Sequence, residues 1–342
     1  MEGIAGIALK KTTDKISANL RIFLERSSIL YPFSIQRIQI GRNSKVYLID
    51  KNDSKWILKE YYQQDADPRN RLKTEYNFLS CLNSNDIEFV ARTISSDNNH
   101  NWGLFSYLPG KKPENVKSNY IQQAAEFIQK INEIRDLPGA RDLPDASEAC
   151  FSISAHLKCV EKRLDLLKKM DLTQEIDYYV FDFIQQQLVP THAQIVTRTI
   201  ENVDDKVLSK TLLNQERILS PSDFGFQNTL INGNTLNFLD FEYAGWDDPA
   251  KLMCDFGCHP EIPVKDEYLQ SFKDSFCSWL EDAENTIVRS DILMPLYRLK
   301  WCCIMLNEFT SVGRARRNHS GGIFDYENQL QKSKTYFEKY LI

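Results

Sequence analysis

One segment constrains this chain more than any other: residues 218–243, strand-like in pattern and set between long helical stretches. At its centre Asn232-Gly233-Asn234 separates the apolar-rich runs Thr229-Leu230-Ile231 and Thr235-Leu236-Asn237-Phe238-Leu239. Asn-Gly between such runs is a strong hairpin signal, because both residues accept the left-handed backbone that a tight two-strand turn requires. A hairpin there folds Asp240 back beside Asn228 and Asp223. Three polar groups spread over eighteen positions, 223 to 240, then converge at one end of a short ribbon.

The rest of the chain changes character around that ribbon. Lys45 to Asp50 and Lys55 to Tyr61 are short β-branched and aromatic runs joined by the polar turn Lys51-Asn52-Asp53-Ser54, which predicts a hairpin. Arg69 to Leu82 reads as a helix. Phe89 to Ile94 and Trp102 to Leu108 read as strands around the polar turn Ser95 to Asn101, and Pro109-Gly110 stops the second. From residue 118 the period becomes helical: Ile121, Ala124, Ala125, Ile128 and Ile131 share one helix face. Further helices are expected at 147–170, 174–188, 190–217, 264–283, 290–310 and 325–341. The near-repeat Arg-Asp-Leu-Pro-Gly-Ala, Arg-Asp-Leu-Pro-Asp-Ala within 135–146 has two copies, too few for a repeat architecture, and reads as a connector. The expected organisation is α+β. Residues 1–109 form a small strand-rich lobe, and residues 110–342 form a larger, mainly helical one.

Phosphoryl transfer from a nucleotide needs an acceptor that orients the attacking hydroxyl, and oxygen ligands for a Mg²⁺ that bridges the phosphates. A carboxylate, an amide five positions on, and a second carboxylate after a hairpin can supply both. In this arrangement, and in the following Ala244-Gly245-Trp246-Asp247-Asp248-Pro249-Ala250 and Asp255, the sequence resembles the aminoglycoside phosphotransferase family of small-molecule kinases. The resemblance implies a protein-kinase-like two-lobed fold, with a small antiparallel-sheet N-lobe and a larger helical C-lobe. It implies Asp223 as catalytic aspartate and Asn228 and Asp240 as metal ligands. Asp223-Phe224-Gly225 and Asp255-Phe256-Gly257 both spell the magnesium tripeptide of protein kinases, but neither follows the Asn by a hairpin. Asp255 is expected on the next helix, bracing the catalytic loop.

The small lobe supplies the remaining parts. Lys59 falls on the strand face of Ile57 and Tyr61, opposite Trp56 and Leu58. A lysine on an otherwise apolar strand is explained by an ion pair to phosphate, and the family pattern makes Glu75 its partner. Gly41-Arg42-Asn43-Ser44 corresponds to the loop over the phosphates. Phe105 to Leu108, with Phe105 and Tyr107 as candidate nucleotide contacts, corresponds to the inter-lobe connector whose backbone meets the adenine edge. The chain departs from many relatives in carrying Pro221-Ser222 where a histidine often stands two residues before the catalytic aspartate, and Gln227 before the metal Asn. Those positions are expected to brace the loop.

Composition narrows the alternatives. Lys+Arg 42 against Asp+Glu 47 gives a net charge of −5, which argues against broad nucleic-acid binding. No apolar run approaches the about 18 residues of a membrane span, and the short stretch Ile4 to Leu9 is a poor secretory signal. Eight cysteines without an export signal read as buried thiols in a reducing compartment, so the expected location is the cytoplasm. Cys254, Cys258 and His259 read as helix-packing groups rather than half a metal site. Arg314, Arg316 and Arg317, in a glycine-flanked loop over 312–322, are either a solvated turn or a contact to an anionic acceptor or phosphate. Glu242, Asp247, His259 and Glu261 are candidates for the acceptor pocket. Together these readings predict an ATP- and Mg²⁺-dependent kinase acting on a hydroxyl of a small polar molecule, a sugar or sugar derivative by family analogy. A protein kinase is disfavoured by the long helical segment 147–217 and the lack of an Ala-Pro-Glu segment. A catalytically silent nucleotide-binding scaffold is disfavoured because all the chemical residues are present. The acceptor's identity and the oligomeric state stay open.

Overall fold

The chain is described by a computed structural model covering residues 17–38, 44–63, 67, 69–321 and 324–342. Helix α1 (Ala18–Arg26) leads into strands β1 (Ser34–Ile38), β2 (Ser44–Lys51) and β3 (Ser54–Tyr61), then helix α2 (Arg71–Ser84) and strands β4 (Thr93–Asp97) and β5 (Trp102–Ser106). The five strands form one antiparallel sheet in the order β1-β2-β3-β5-β4. Period-two alternation sends successive side chains of β3 to opposite faces. Leu58 joins Phe23, Leu24, Ile29 and Ile49 under α1, whereas Tyr61 joins Phe78, Leu79 and Leu82 of α2. Lys59 shares the Tyr61 face and therefore points toward α2.

The larger lobe begins with α3 (Ser118–Glu133), whose expected apolar face is buried in full. There follow α4 (Pro138–Arg141), α5 (Ile153–Leu167), α6 (Glu175–Phe183), α7 (Val189–Asn202) and α8 (Asp205–Ser209). A π turn at Ile184–Leu188 joins α6 to α7, ahead of Pro190, which has no N–H to donate. The short strands β6 (Ile218–Ser220), β7 (Thr229–Asn232), β8 (Thr235–Phe238) and β9 (Gly245–Asp247) come next. The chain ends in α9 (Pro249–Cys258), α10 (Asp266–Cys277), α11 (Ala283–Leu306), α12 (Ser311–Ser320) and α13 (Tyr326–Leu341). The fold is the expected α+β, two-lobed kinase-like one.

Some sequence expectations shift. Strand pairing expected from Phe89 begins at Thr93, because Phe89 takes a left-handed backbone (φ 67°) that breaks the strand. Helix does not run unbroken through 190–217; α7 stops at Asn202 and the short α8 follows, while Arg217 turns its guanidinium onto the Phe151 ring 3.8 Å away. The arginine loop at 312–322 is helix α12 as far as Ser320. Gly322 lies outside the described residues, as do Gly41, Arg42 and Asn43 of the loop expected over the phosphates, and Ile4 to Leu9.

The β7–β8 hairpin forms with Asn232 paired to Thr235, so Gly233 (φ 62°) and Asn234 make its turn. This ribbon meets both lobes. Phe127 of α3 stacks on Phe238 at 4.0 Å, and Phe238 N–H donates to Phe89 O at 2.7 Å. Lys111 and Ile231 exchange backbone hydrogen bonds of 3.0 and 2.7 Å, just after Gly110 (φ 145°). A Cβ on Gly110 would lie 2.8 Å from Ile231 O. Gly110→Ala is therefore expected to destabilise the chain by about 1–3 kcal/mol, read as a lower urea midpoint with an unchanged slope.

Candidate functional site

The site is assembled from β3, α2 and the β6–β9 region. Lys59 Nζ lies 2.7 and 2.9 Å from the two Glu75 oxygens, and Tyr61 Oη donates to Glu75 Oε2 at 2.6 Å. Asp240, just beyond β8, brings Oδ1 to 3.3 Å from the same ammonium, so one lysine links the sheet lobe to the ribbon. Burial opposes the charge on Lys59, but Glu75 and Asp240 outweigh it and hold its pKa above the ordinary range. Sequence reading found the lysine and its glutamate. It missed Tyr61, although alternation from Lys59 puts that residue on the same face.

Asp223 sits in the turn after β6, which pairs with β9 from Ile218–Asp247 to Ser220–Gly245. Its carbonyl accepts from Asn228 Nδ2 at 2.9 Å, and its carboxylate Oδ2 lies 3.3 Å from the same nitrogen. Gln227 Nε2 donates to Asp223 O and Oδ1 at 3.3 and 3.4 Å, so Gln227 touches the Asp223 carboxylate as well as steadying the loop. His259 Nε2 is 3.9 Å from Asp223 Oδ1. Burial raises the Asp223 pKa to about 7, with Asp240 and Asp255 adding to the shift and the Asn228 hydrogen bond opposing it.

The bracing behind Asp223 runs through a residue that sequence reading passed over. Lys251 of α9 is fully buried; its Nζ donates to Ser222 Oγ at 2.9 Å, pairs with Asp247, and lies 3.4 Å from Asp255. Ser222, at φ 71°, donates in turn to Ser147 O at 3.4 Å. Asp255 therefore braces the loop through Lys251 rather than directly. Part of the signal was legible: Lys251 and Asp255 stand four apart on α9, and Asp247 lies four residues before Lys251 at the end of β9. Burial lifts the Asp247 carboxyl to about 6 even against its lysine. Next to it Asp248 caps α9 through Ala250 N at 2.8 Å and holds His156 (3.0 Å) and Arg289. Phe224 and Phe256, of the two misleading tripeptides, stack on each other in the core at 5.5 Å.

Of the other candidates, Glu242 and Asp247 are buried, and Glu242 lies 3.7 Å from the Arg71 guanidinium, so neither opens toward an acceptor. His259 and Glu261 do neighbour Asp223. The α12 arginines are engaged inside the lobe: Arg314 with Asp177, and Arg317 with Glu308 at 2.6 Å. The solvated turn gives way to a packed helix. Phe105 is buried in register with Ile57 on one side and Thr93 on the other, a place in the core, while Tyr107 lies beyond the last strand pair with its ring 5.8 Å from Lys55 Nζ. Cys254 Sγ lies 3.4 Å from Ser290 O and Cys258 Sγ 3.3 Å from Met294 Sδ. Among the described residues no group of three His, Cys, Asp or Glu side chains is arranged to hold a metal.

Whether the donors suit a nucleotide-bound Mg²⁺ can be tested on their chemistry. Asn228 spends its nitrogen on Asp223, which leaves Oδ1 without a hydrogen bond among the described residues. The Asp240 side chain is 40% exposed. One carboxylate and one amide oxygen are hard ligands of the kind Mg²⁺ takes when phosphates and water complete its shell. Ser44 Oγ, at the start of β2, is buried without a partner, a donor suited to a phosphate oxygen. The residues fit.

A family model described as the phosphotransferase enzyme family matches residues 34–283. The chain belongs to the phosphotransferase enzyme family. This phosphotransferase is similar in fold to a spectinomycin phosphotransferase solved with ADP and spectinomycin (13% identity, 93% of this chain and 97% of that chain, TM-score 0.58). It is also similar to an ethanolamine kinase from Plasmodium vivax (12%, 94% and 86%, TM-score 0.60) and a choline kinase from Streptococcus pneumoniae (16%, 95% and 100%, TM-score 0.54). No curated protein matches the sequence. The phosphotransferase has, among its described residues, no helix long and apolar enough to cross a membrane.

The raised Asp223 pKa has a consequence for stability. The unfolded carboxyl titrates near about 3.9, the folded one near about 7. Between those values the folded state holds the extra proton, so its advantage falls as pH rises through the window. Asp223→Asn removes that loss. Its melting temperature is expected to exceed the parent's at pH 8 and to match it at pH 4, measured by thermal denaturation across pH.

Proposed function

We propose that this phosphotransferase is an ATP- and Mg²⁺-dependent small-molecule kinase that phosphorylates a hydroxyl of a sugar or sugar derivative, acting in the cytoplasm. The observation that carries it is the convergence of Asp223, Asn228 and Asp240 opposite the Lys59–Glu75 pair. Lys59 draws in the α- and β-phosphates, held in place by Glu75 and Tyr61. Asn228 and Asp240 hold the metal, which neutralises phosphate charge when bound. Asp223 orients the acceptor hydroxyl and takes its proton, and a pKa near about 7 suits that task at neutral pH. Gln227 and the Lys251–Ser222 brace keep its carboxylate in place. Of the connector Phe105 to Leu108, the backbone of Tyr107 and Leu108, beyond the last strand pair, meets the adenine edge, and the division between lobes falls just after it, at 109/110. Positioning and charge neutralisation supply most of the rate in such a site.

The acceptor side favours a hydroxyl compound that also carries an amine. Asp240, Asp255 and Glu261 all add to the negative field at Asp223, which attracts a cation. Spectinomycin, choline and ethanolamine are named with the similar structures.

A screen of amino sugars, sugars and amino alcohols for ADP release tests the reading. Activity is expected with a small acceptor, with kcat/KM rising with pH and levelling above about 7. Asp223→Ala is expected to lower kcat by about 10²–10⁴-fold. ADP release that persists in that variant, or label from ATP passing to protein rather than metabolite in a cell extract, would contradict it.

A further inference from the structure

All eight cysteines are free thiols; seven are buried and Cys159 alone is half-buried. Cys150 stands just before α5 and Cys159 lies on it. Cys150 Sγ is 3.6 Å from Ala155 O, the carbonyl one helical turn before Cys159. Side chains on a helix tilt toward its N-terminus, so the Cys159 thiol leans back over the turn that Cys150 covers, and each thiol lies close enough to shift the other's ionisation. Arg163 follows Cys159 by one turn, and Lys300 approaches from α11; both reach Glu148, at 2.5 and 3.5 Å.

These surroundings favour a thiolate at Cys159. The neighbouring Cys150 thiol lowers the Cys159 pKa to about 7, with Lys300 and Arg163 helping against burial and Glu148. Burial pushes the other six thiols, Cys81, Cys254, Cys258, Cys277, Cys302 and Cys303, upward. A half-buried, ionisable thiol beside a second, where the other thiols are buried, is the arrangement a peroxide selects.

We propose that Cys150 and Cys159 form a peroxide-responsive dithiol that closes to a disulfide and shifts the loop bearing Asp223. The Cys159 thiolate attacks a hydroperoxide; an S–O bond forms, the O–O bond breaks, and the leaving hydroxide takes a proton to become water. Cys150 then gives up its proton, its sulfur attacks Cys159 Sγ, the S–S bond forms as the S–O bond breaks, and a second water leaves. Two thiols lose two electrons and two protons, and hydrogen peroxide gains them. Shortening the S–S separation to about 2.05 Å draws the Cys150 segment toward α5. That segment is stitched to the site: Ser147 O accepts from Ser222 Oγ at 3.4 Å, Ser147 N donates to Tyr243 O at 2.9 Å, and Ala146 N donates to Trp246 O at 2.8 Å. The coupling to activity rests on the kinase reading of Asp223; the dithiol does not.

The test treats the full chain with hydrogen peroxide, alkylates remaining thiols, digests with trypsin and maps masses. Cleavage after Lys158 separates the two cysteines, so the expected product is peptide 142–158 joined to peptide 159–162. It should outweigh any other cysteine pair, revert with dithiothreitol, and be absent from Cys159→Ser. In Cys150→Ser, Cys159 should accumulate as a dimedone-reactive sulfenic acid. Hydrogen exchange of residues 220–228 should change several-fold on oxidation of the parent and stay constant in both variants. Cys159 reacting no faster than Cys81, or a different pair cross-linking, would overturn the dithiol; a cross-link with unchanged exchange would overturn the coupling. A chain that cross-links and shifts its exchange yet transfers no phosphate would contradict the kinase reading and support the dithiol.

Discussion

The ammonium of Lys59 is the point on which the site depends. It joins a carboxylate from α2 to a carboxylate at the end of the ribbon, and so ties the sheet lobe to the helical one. Glu75 is almost wholly buried. Removing one partner of such a buried pair leaves an uncompensated charge, which typically costs about 3–5 kcal/mol. The lysine thus orders the cleft before any nucleotide enters. The same field that holds the two acids together is directed at the place where phosphate charge would sit, so little reorganisation is needed when the substrate arrives.

Several acids around the site have a lysine, arginine or histidine partner. Asp247 and Asp255 share Lys251; Asp248 has Arg289 and His156; Asp67 and Glu242 have Arg71; Asp240 has Lys59. Among the described residues Asp223 has no lysine or arginine in ion-pair range and is steadied by the amides of Asn228 and Gln227. A carboxylate left without a fixed cation keeps its affinity for protons.

Much of this could be read from the chain because it is local. The Asn232–Thr235 turn, the alternation around Lys59 and the apolar face of α3 are short-range patterns, and each sets where a functional side chain points. What escaped is long-range. Nothing near Arg314 or Arg317 in sequence says that Asp177 and Glu308 will pair with them, and pairing inside the lobe is what makes 311–320 a packed helix instead of a solvent loop. The place of Arg217 is likewise set by a distant contact, with its guanidinium on the Phe151 ring. Lys251 is the intermediate case: its spacing from two aspartates was visible, but its grip on Ser222 depends on a fold that brings α9 beneath the Asp223 turn.

The central claim is that the ribbon places Asn228 and Asp240 to share one divalent ion on a nucleotide held by Lys59. The most direct measurement is a crystal structure with Mn²⁺ and a non-hydrolysable ATP analogue, with the metal located by anomalous scattering. The account predicts a manganese peak at coordination distance, about 2.1–2.2 Å, from one oxygen of each residue, with the α- and β-phosphates facing Lys59 Nζ. A nucleotide bound elsewhere, or a metal with neither residue in its shell, would contradict it.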